Sequence, residues 1–160
     1  IKDLMKFKGI GEAKAISVAA TLEIGRRKAS QETPEKTSIS SAKDSYNIFS
    51  QHLSDLRTEE FWAIFLNQKN QIVYKTQISK GGISGTLVDV RVLFRIALEH
   101  FATSIIVAHN HPSGSLKPSL EDIQITKNIK NAGEILNVTL LDHLIIGDNS
   151  FLSFAEEGLL

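Results

Sequence analysis

At 160 residues the chain is long enough for one solid core with a small appendage, and short for two full domains. Its composition, 42% hydrophobic and 22% charged, is that of an ordinary soluble globular protein, and no run approaches the ~18 apolar residues of a membrane span. Lys plus Arg and Asp plus Glu balance at 18 each, and the absence of cysteine excludes disulfides and thiolate metal sites, so any zinc must use histidine and carboxylate ligands. With no signal-peptide pattern, the default location is cytoplasmic, with no membrane partner.

The balanced charge is unevenly spread. Before residue 30, Lys2, Lys6, Lys8, Lys14, Arg26, Arg27 and Lys28 outnumber Asp3, Glu12 and Glu23, which directs any nucleic-acid contact to the N-terminal piece. Residues 1–28 read as a helix end, a Gly9-Ile10-Gly11 turn, and a second helix with Ala13, Ile16, Val18, Ala19, Leu22 and Ile24. This is a partial helix-hairpin-helix, and a chain opening inside a helical pattern without an initiator Met is expected to lack preceding residues. Backbone N–H groups at Gly9 and Gly11, with Lys14 beside them, can hold a phosphate of DNA. A plain αα-hairpin, its glycines allowing a tight turn, accounts for the same residues equally well. Residues 29–38 carry no large apolar side chain and include Pro34, as a linker does. The main domain is expected over 39–160.

Ser40 or Ser41 can cap a helix bearing Tyr46, Ile48, Phe49 and Leu53. Residues 58–67 read as an apolar strand opening on two adjacent carboxylates, Glu59 and Glu60. Gln68-Lys69-Asn70 turns the chain and Ile72-Val73-Tyr74 begins the return strand of a hairpin. Gly81, Gly82 and Gly85 break that pattern. Asp89 is the expected cap of a helix whose Val92, Leu93, Ile96, Ala97 and Phe101 share one face. Arg91 and Arg95, one turn apart, fit a solvated helix face better than an anion patch.

Ser104-Ile105-Ile106-Val107-Ala108 reads as a buried strand. Alternation puts His109 and His111 on one face, with Asn110 opposite, and Pro112 favours extension through His111. Asn110 and Ser113 fit backbone-fixing roles in the following loop. Ser119 begins a helix with Asp122 in its first turn and Gly133 near its end. Residues 137–147 form a further strand, 148–150 a turn, and 151–154 a short final strand. One hairpin among alternating strands and helices gives an α/β fold, a mixed sheet covered by helices.

Two imidazoles from a strand end and a carboxylate from a helix start suit one zinc ion, with a fourth position left for water. An HxH pair alone is common without metal, and Ser-x-x-Asp is also a helix capping box; the whole spacing carries the signal. Hydrolysis needs a base near the water, and Glu59 and Glu60 are the candidates. Adjacent strand residues face opposite ways, and strand geometry alone does not choose between them. Asp142-His143, a polar pair in an apolar strand, either supports a ligand from behind or stabilises the sheet; the latter is favoured because three ligands are already supplied.

His109-x-His111, seven residues, then Ser119-x-x-Asp122 resembles the JAMM signature of the MPN+ metallopeptidases. The surrounding His109-Asn110-His111-Pro112-Ser113-Gly114, Leu141-Asp142-His143-Leu144-Ile145-Ile146-Gly147, Ser84-Gly85-Thr86-Leu87 and Gly9-Ile10-Gly11-Glu12-Ala13-Lys14-Ala15 resemble the bacterial RadC family over essentially the whole chain. The resemblance implies the JAB/MPN fold, with cytidine-deaminase-like α/β architecture. It implies zinc on His109, His111 and Asp122, with cleavage of a peptide or isopeptide bond in a protein substrate. It selects Glu59, two residues before the strand phenylalanine, as the base, and makes Ser119 the donor to the oxyanion. By capping alone, Ser119→Asp is expected to stay stable, while losing activity. The family's association with DNA repair carries an alternative: a DNA-associated accessory protein whose zinc is structural or acts on a protein partner. Asn67 and Val90 depart from the usual Asp and Pro, away from the metal positions.

Overall fold

The apolar run before the two histidines lies at the middle of the sheet. A computed structural model describes residues 1–30, 37–81 and 88–160. Among these residues five strands form one sheet: β1 (Glu60–Leu66), β2 (Ile72–Lys80), β3 (Ser104–Asn110), β4 (Thr139–Ile146) and β5 (Phe151–Ser153), in the order β2-β1-β3-β4-β5. The sheet is mixed, as expected: β3 and β4 run parallel, and the other neighbours antiparallel. Every residue of β3 is buried, which is the condition of a strand covered on both faces. Gly82, Gly85 and the Ser84-Gly85-Thr86-Leu87 motif lie outside the described residues, as does most of the expected linker.

The described helices are α1 (Glu12–Ser30), α2 (Ala42–Leu53), α3 (Val90–Glu99) and α4 (Leu120–Leu136). The chain divides into two compact units, Ile1–Glu35 and Lys36–Leu160. In the second unit, α2 covers one sheet face, packing Phe49 and Leu53 on Ile64, Ile106, Ala108 and Leu144. On the other face α3 and α4 bring Leu93, Phe94, Ala97 and Ile129 against Phe61, Phe65, Ile105 and Val107. Each large apolar side chain buried this way contributes roughly 1.5–3 kcal/mol, and these layers hold the rigid frame on which polar groups can be buried.

Ser41 caps α2 by accepting from the Asp44 N–H, and Asp89 caps α3 by accepting from that of Arg91. Arg91 is paired with Asp89, and Arg95 with Glu99, both at the surface, the solvated-face reading. Helix ends depart from expectation in two places. Phe101 is not on the buried face of α3: it stands beyond the helix at φ 51° and is 87% exposed. There it closes a Schellman motif in which Ala102 N–H donates to the Ala97 carbonyl. Asn137 likewise takes the left-handed conformation and ends α4, so β4 begins at Thr139 rather than 137. At that end Val138 N–H donates to Gly133, and a Cβ on Gly133 would lie 2.3 Å from the Val138 carbonyl oxygen. Only glycine fits so close an approach.

In the first unit the expected helix end is a 3-10 turn at Leu4–Lys6, followed by Gly9 at φ 88° and then α1. Ile16, Val18, Leu22 and Ile24 are exposed, so these residues build no core stripe. No described helix is long and apolar enough to cross a membrane.

Candidate metal centre

His109 and His111 leave the C-terminal end of β3, and α4 returns the chain so that its first turn lies beside them. β3 ends at Asn110, one residue short of the expected limit, yet the His111 N–H still donates to the Ile146 carbonyl. A tight turn follows, in which Gly114 N–H donates to the His111 carbonyl, with Gly114 at φ 74°. That turn brings the Ser115 carbonyl 2.7 Å from His111 Nδ1. A carbonyl only accepts, so Nδ1 carries a proton, and in the neutral ring Nε2 is bare.

Three side chains then converge. His109 Nε2 lies 3.0 Å from His111 Nε2 and 3.1 Å from Asp122 Oδ1, and His111 Nε2 lies 3.6 Å from Asp122 Oδ2. Zinc bonds of about 2.0–2.1 Å in a tetrahedron require ligand separations near 3.3 Å, and His109 Nε2 lies close to that distance from both His111 Nε2 and Asp122 Oδ1. Imidazole lone pairs and a carboxylate facing one another repel unless a cation is shared between them, so the donor set fits a metal ion. His109 and Asp122 are buried, and His111 half-buried.

Ser119 reconciles two readings of one motif. Its Oγ accepts from the Asp122 N–H at 3.1 Å, while its own N–H and hydroxyl both donate to Asp122 Oδ2 at 2.7 Å. This is a capping box, and it engages Oδ2 while Oδ1 faces His109. Burial opposes ionisation of Asp122, but His109 and His111, when protonated, outweigh it and hold the carboxyl far below its usual range. His111 is shifted the other way, its pKa raised by Asp122 first, against burial, with the Ser115 carbonyl and the Glu59 charge adding to it.

The Asp142-His143 pair divides into two roles, one of them against expectation. His143 is fully buried, with Nε2 2.8 Å from His109 Nδ1 and Nδ1 2.6 Å from Thr126 Oγ1. Thr126, which sequence reasoning missed, stands one turn after Asp122 and donates to its carbonyl at 2.6 Å. Burial first, then the neighbouring His109, push the His143 pKa well down. A β-bulge turns His143 toward this face: Ile105 pairs with Leu140 but Ile106 with Asp142, so β4 holds one extra residue. Asp142 stabilises the bulge, accepting from the N–H groups of His143 and Ala155 and from the Ser153 hydroxyl.

The two adjacent glutamates also separate. Glu60 is buried, accepts from the Trp62 indole at 3.0 Å and pairs with Lys80 at 3.1 Å. By alternation Glu59 shares the face of Phe61, which pairs with His109. Asn110 holds the backbone on both sides of Glu59, its Oδ1 accepting from the Glu60 N–H and its Nδ2 donating to the Thr58 carbonyl. A cleft of about 180 Å³ opens beside His111, with Arg57, Pro112 and Asp148 in its wall. A larger cavity of about 320 Å³, walled by Ile106, Leu141 and Asp142 on the α2 side, touches none of the three ligands.

In the N-terminal unit, the Lys14 ammonium donates to the Gly9 carbonyl at 3.2 Å, and Glu12 stands in the first turn of α1. Lysine therefore closes the Gly9–Gly11 turn here.

Residues 39–159 match the family described as RadC-like JAB domain. A UPF0758 protein of Flavobacterium johnsoniae is 52% identical over 99% of this chain and 69% of its own length. One from Porphyromonas gingivalis is 46% identical over 96% of the chain and 68% of its own. Another, from Desulforamulus reducens, is 42% identical over the whole chain and 70% of its own.

Proposed function

We propose, for a chain that belongs to the RadC-like JAB domain family, a zinc-dependent hydrolase acting on peptide or isopeptide bonds. The observation that carries this reading is the convergence of His109 Nε2, His111 Nε2 and the Asp122 carboxylate. Two imidazoles favour zinc over magnesium or calcium, which take oxygen ligands. Three protein ligands are the count of catalytic zinc sites, whereas a structural site closes with four. His143 is not a fourth, because it is engaged with His109 and Thr126.

Zinc in this setting supplies a Lewis acid that acidifies water towards neutral pH and polarises a carbonyl oxygen. Glu59, on the metal face, is the base that takes the water's proton and returns it to the leaving amine. Asn110 fixes the backbone that carries it. Ser119 Oγ is the donor for the oxyanion. Its proton rests on Asp122 Oδ2 in the free protein and turns to the substrate oxygen, while the Ser119 N–H keeps Oδ2 paired.

Elemental analysis of the purified protein should find about one zinc per chain, removed by Ala at 109, 111 or 122. Glu59→Gln should keep the zinc and lose ~10²–10⁴-fold in cleavage across a panel of fluorogenic peptides and isopeptide-linked substrates. A chain that takes up no zinc even when incubated with it overturns the site, and one that binds zinc yet cleaves nothing in the panel overturns the hydrolase.

A further inference from the structure

We infer that Thr126 and His143 are positioning residues for the metal centre: through a hydrogen-bond chain of fixed direction they hold the His109 proton on Nδ1 and leave Nε2 bare towards the ligand cluster. The direction follows atom by atom. The Asp122 carbonyl has no proton to give, so its 2.6 Å contact with Thr126 Oγ1 uses the hydroxyl's single proton. Oγ1 can then only accept from His143 Nδ1, also at 2.6 Å, and His143 must carry its proton there.

The His143 ring is wholly buried, stacked on Phe154 at 4.7 Å and edge-on to Phe61 at 5.4 Å. Such surroundings disfavour a second proton. Its Nε2 is therefore an acceptor, and His109 Nδ1, 2.8 Å away, must donate to it. One proton per neutral imidazole leaves His109 Nε2 with its lone pair towards His111 and Asp122. His111 reaches the same state in one step, through the Ser115 carbonyl.

The chain begins on the backbone of one ligand and ends on the ring of another. It ties α4 to β3 through β4, so the Asp122 turn and the His109 ring hold one another in register. It can also run backwards. Without the Thr126 hydroxyl, His143 is free to take the other tautomer and donate from Nε2, which moves the His109 proton onto Nε2 and blocks that ligand.

This deepens the zinc reading and rests on it for the ligand, but zinc binding and ring tautomers can be read without any substrate. Thr126→Val, nearly isosteric, should lower zinc affinity ~10–100-fold, the usual cost of losing the partner behind a ligating histidine. Competition with a chelator measures it. Long-range ¹H–¹⁵N correlation on the zinc-free full chain should show His109 protonated at Nδ1, and at Nε2 in Thr126→Val. His143→Phe should lose affinity as the Val variant does. His143→Gln, whose amide oxygen can take the place of Nε2, should recover most of it. Parental zinc affinity in Thr126→Val, or a wild-type His109 protonated at Nε2, overturns the inference. Failure of the wild-type protein to cleave peptides leaves these results intact and counts only against the hydrolase.

Discussion

Ser119 is where the observed cap and the proposed chemistry share one hydroxyl, and substitutions there separate them by size. Ser119→Ala removes the acceptor for the Asp122 N–H and one of two donors to Asp122 Oδ2. The cap is worth ~1 kcal/mol and a hydrogen bond to a charged group about 1.5–3. The Ser119 N–H stays on Oδ2, so the net loss should be about 2 kcal/mol. With ~2.1 cal/mol/K of unfolding entropy per residue, a unit of about 125 residues should melt ~8 °C lower. If the hydroxyl also serves the oxyanion, turnover falls by a further ~10²–10³ in the zinc-loaded protein. Ser119→Asp is the sharper test. By capping preference alone it should be stable, but the structure reverses that, because its carboxylate replaces an oxygen 2.7 Å from Asp122 Oδ2. Two charges ~3 Å apart interact by about 5 kcal/mol at an effective dielectric constant of ~20, unless one takes up a proton. The Asp variant should therefore be less stable than the Ala variant at pH 8. Because the pair's upper pKa is raised by folding, it should recover stability as the pH falls. Thermal melts of the three proteins between pH 5 and 8 decide it. An Asp variant that melts with the parent at pH 8 refutes the division of Asp122 between cap and metal.

Glu60→Gln should leave cleavage within about threefold, against the ~10²–10⁴ expected for loss of the proposed base at Glu59; a dead Glu60 variant would exchange the two assignments. In the zinc-free protein the His111 ring should titrate above the usual ~6.5, because Asp122 favours its charged form. NMR should show that pKa fall in Asp122→Asn, and an unchanged value would count against the contact. Asp142→Ala should leave three donors without their acceptor. It should weaken zinc binding though it touches no ligand, by releasing the bulge that aims His143; chelator competition reads the effect. Finally, we propose that the basic N-terminal unit holds duplex DNA weakly and with marked salt dependence. Deleting residues 1–36 should abolish that in a filter or polarisation assay while sparing cleavage, and equal binding by the truncated chain would refute it.

What the sequence made legible is local. His109 and His111 are two apart on a strand, and Asp122 is three past a capping serine, so period-two alternation and first-turn geometry are enough to aim them at one point. The hairpin and the caps at Ser41 and Asp89 follow from short-range patterns too. Phe101 and Asn137 escaped because each is a non-glycine residue ending a helix at positive φ, where the usual glycine signal is missing. Glu59 and Glu60 could not be told apart by strand geometry, since the partners that occupy Glu60 include Lys80, a whole hairpin away.

His143 shows most clearly where pattern reading ends. Counting alternately from Leu140, which packs with Val107 on the α4 face, places residue 143 on the α2 face, remote from His109. The bulge adds one residue and reverses that phase. Nothing in Leu140-Leu141-Asp142 marks the insertion, because a buried strand reads as continuous apolar residues whichever way it points. The signal was Asp142 itself. A carboxylate in such a strand needs partners, and the unpaired N–H that a bulge creates at His143 is one of them. So supporting the sheet and supporting a ligand are not rival accounts of this pair: Asp142 holds the backbone in the conformation that lets His143 reach His109.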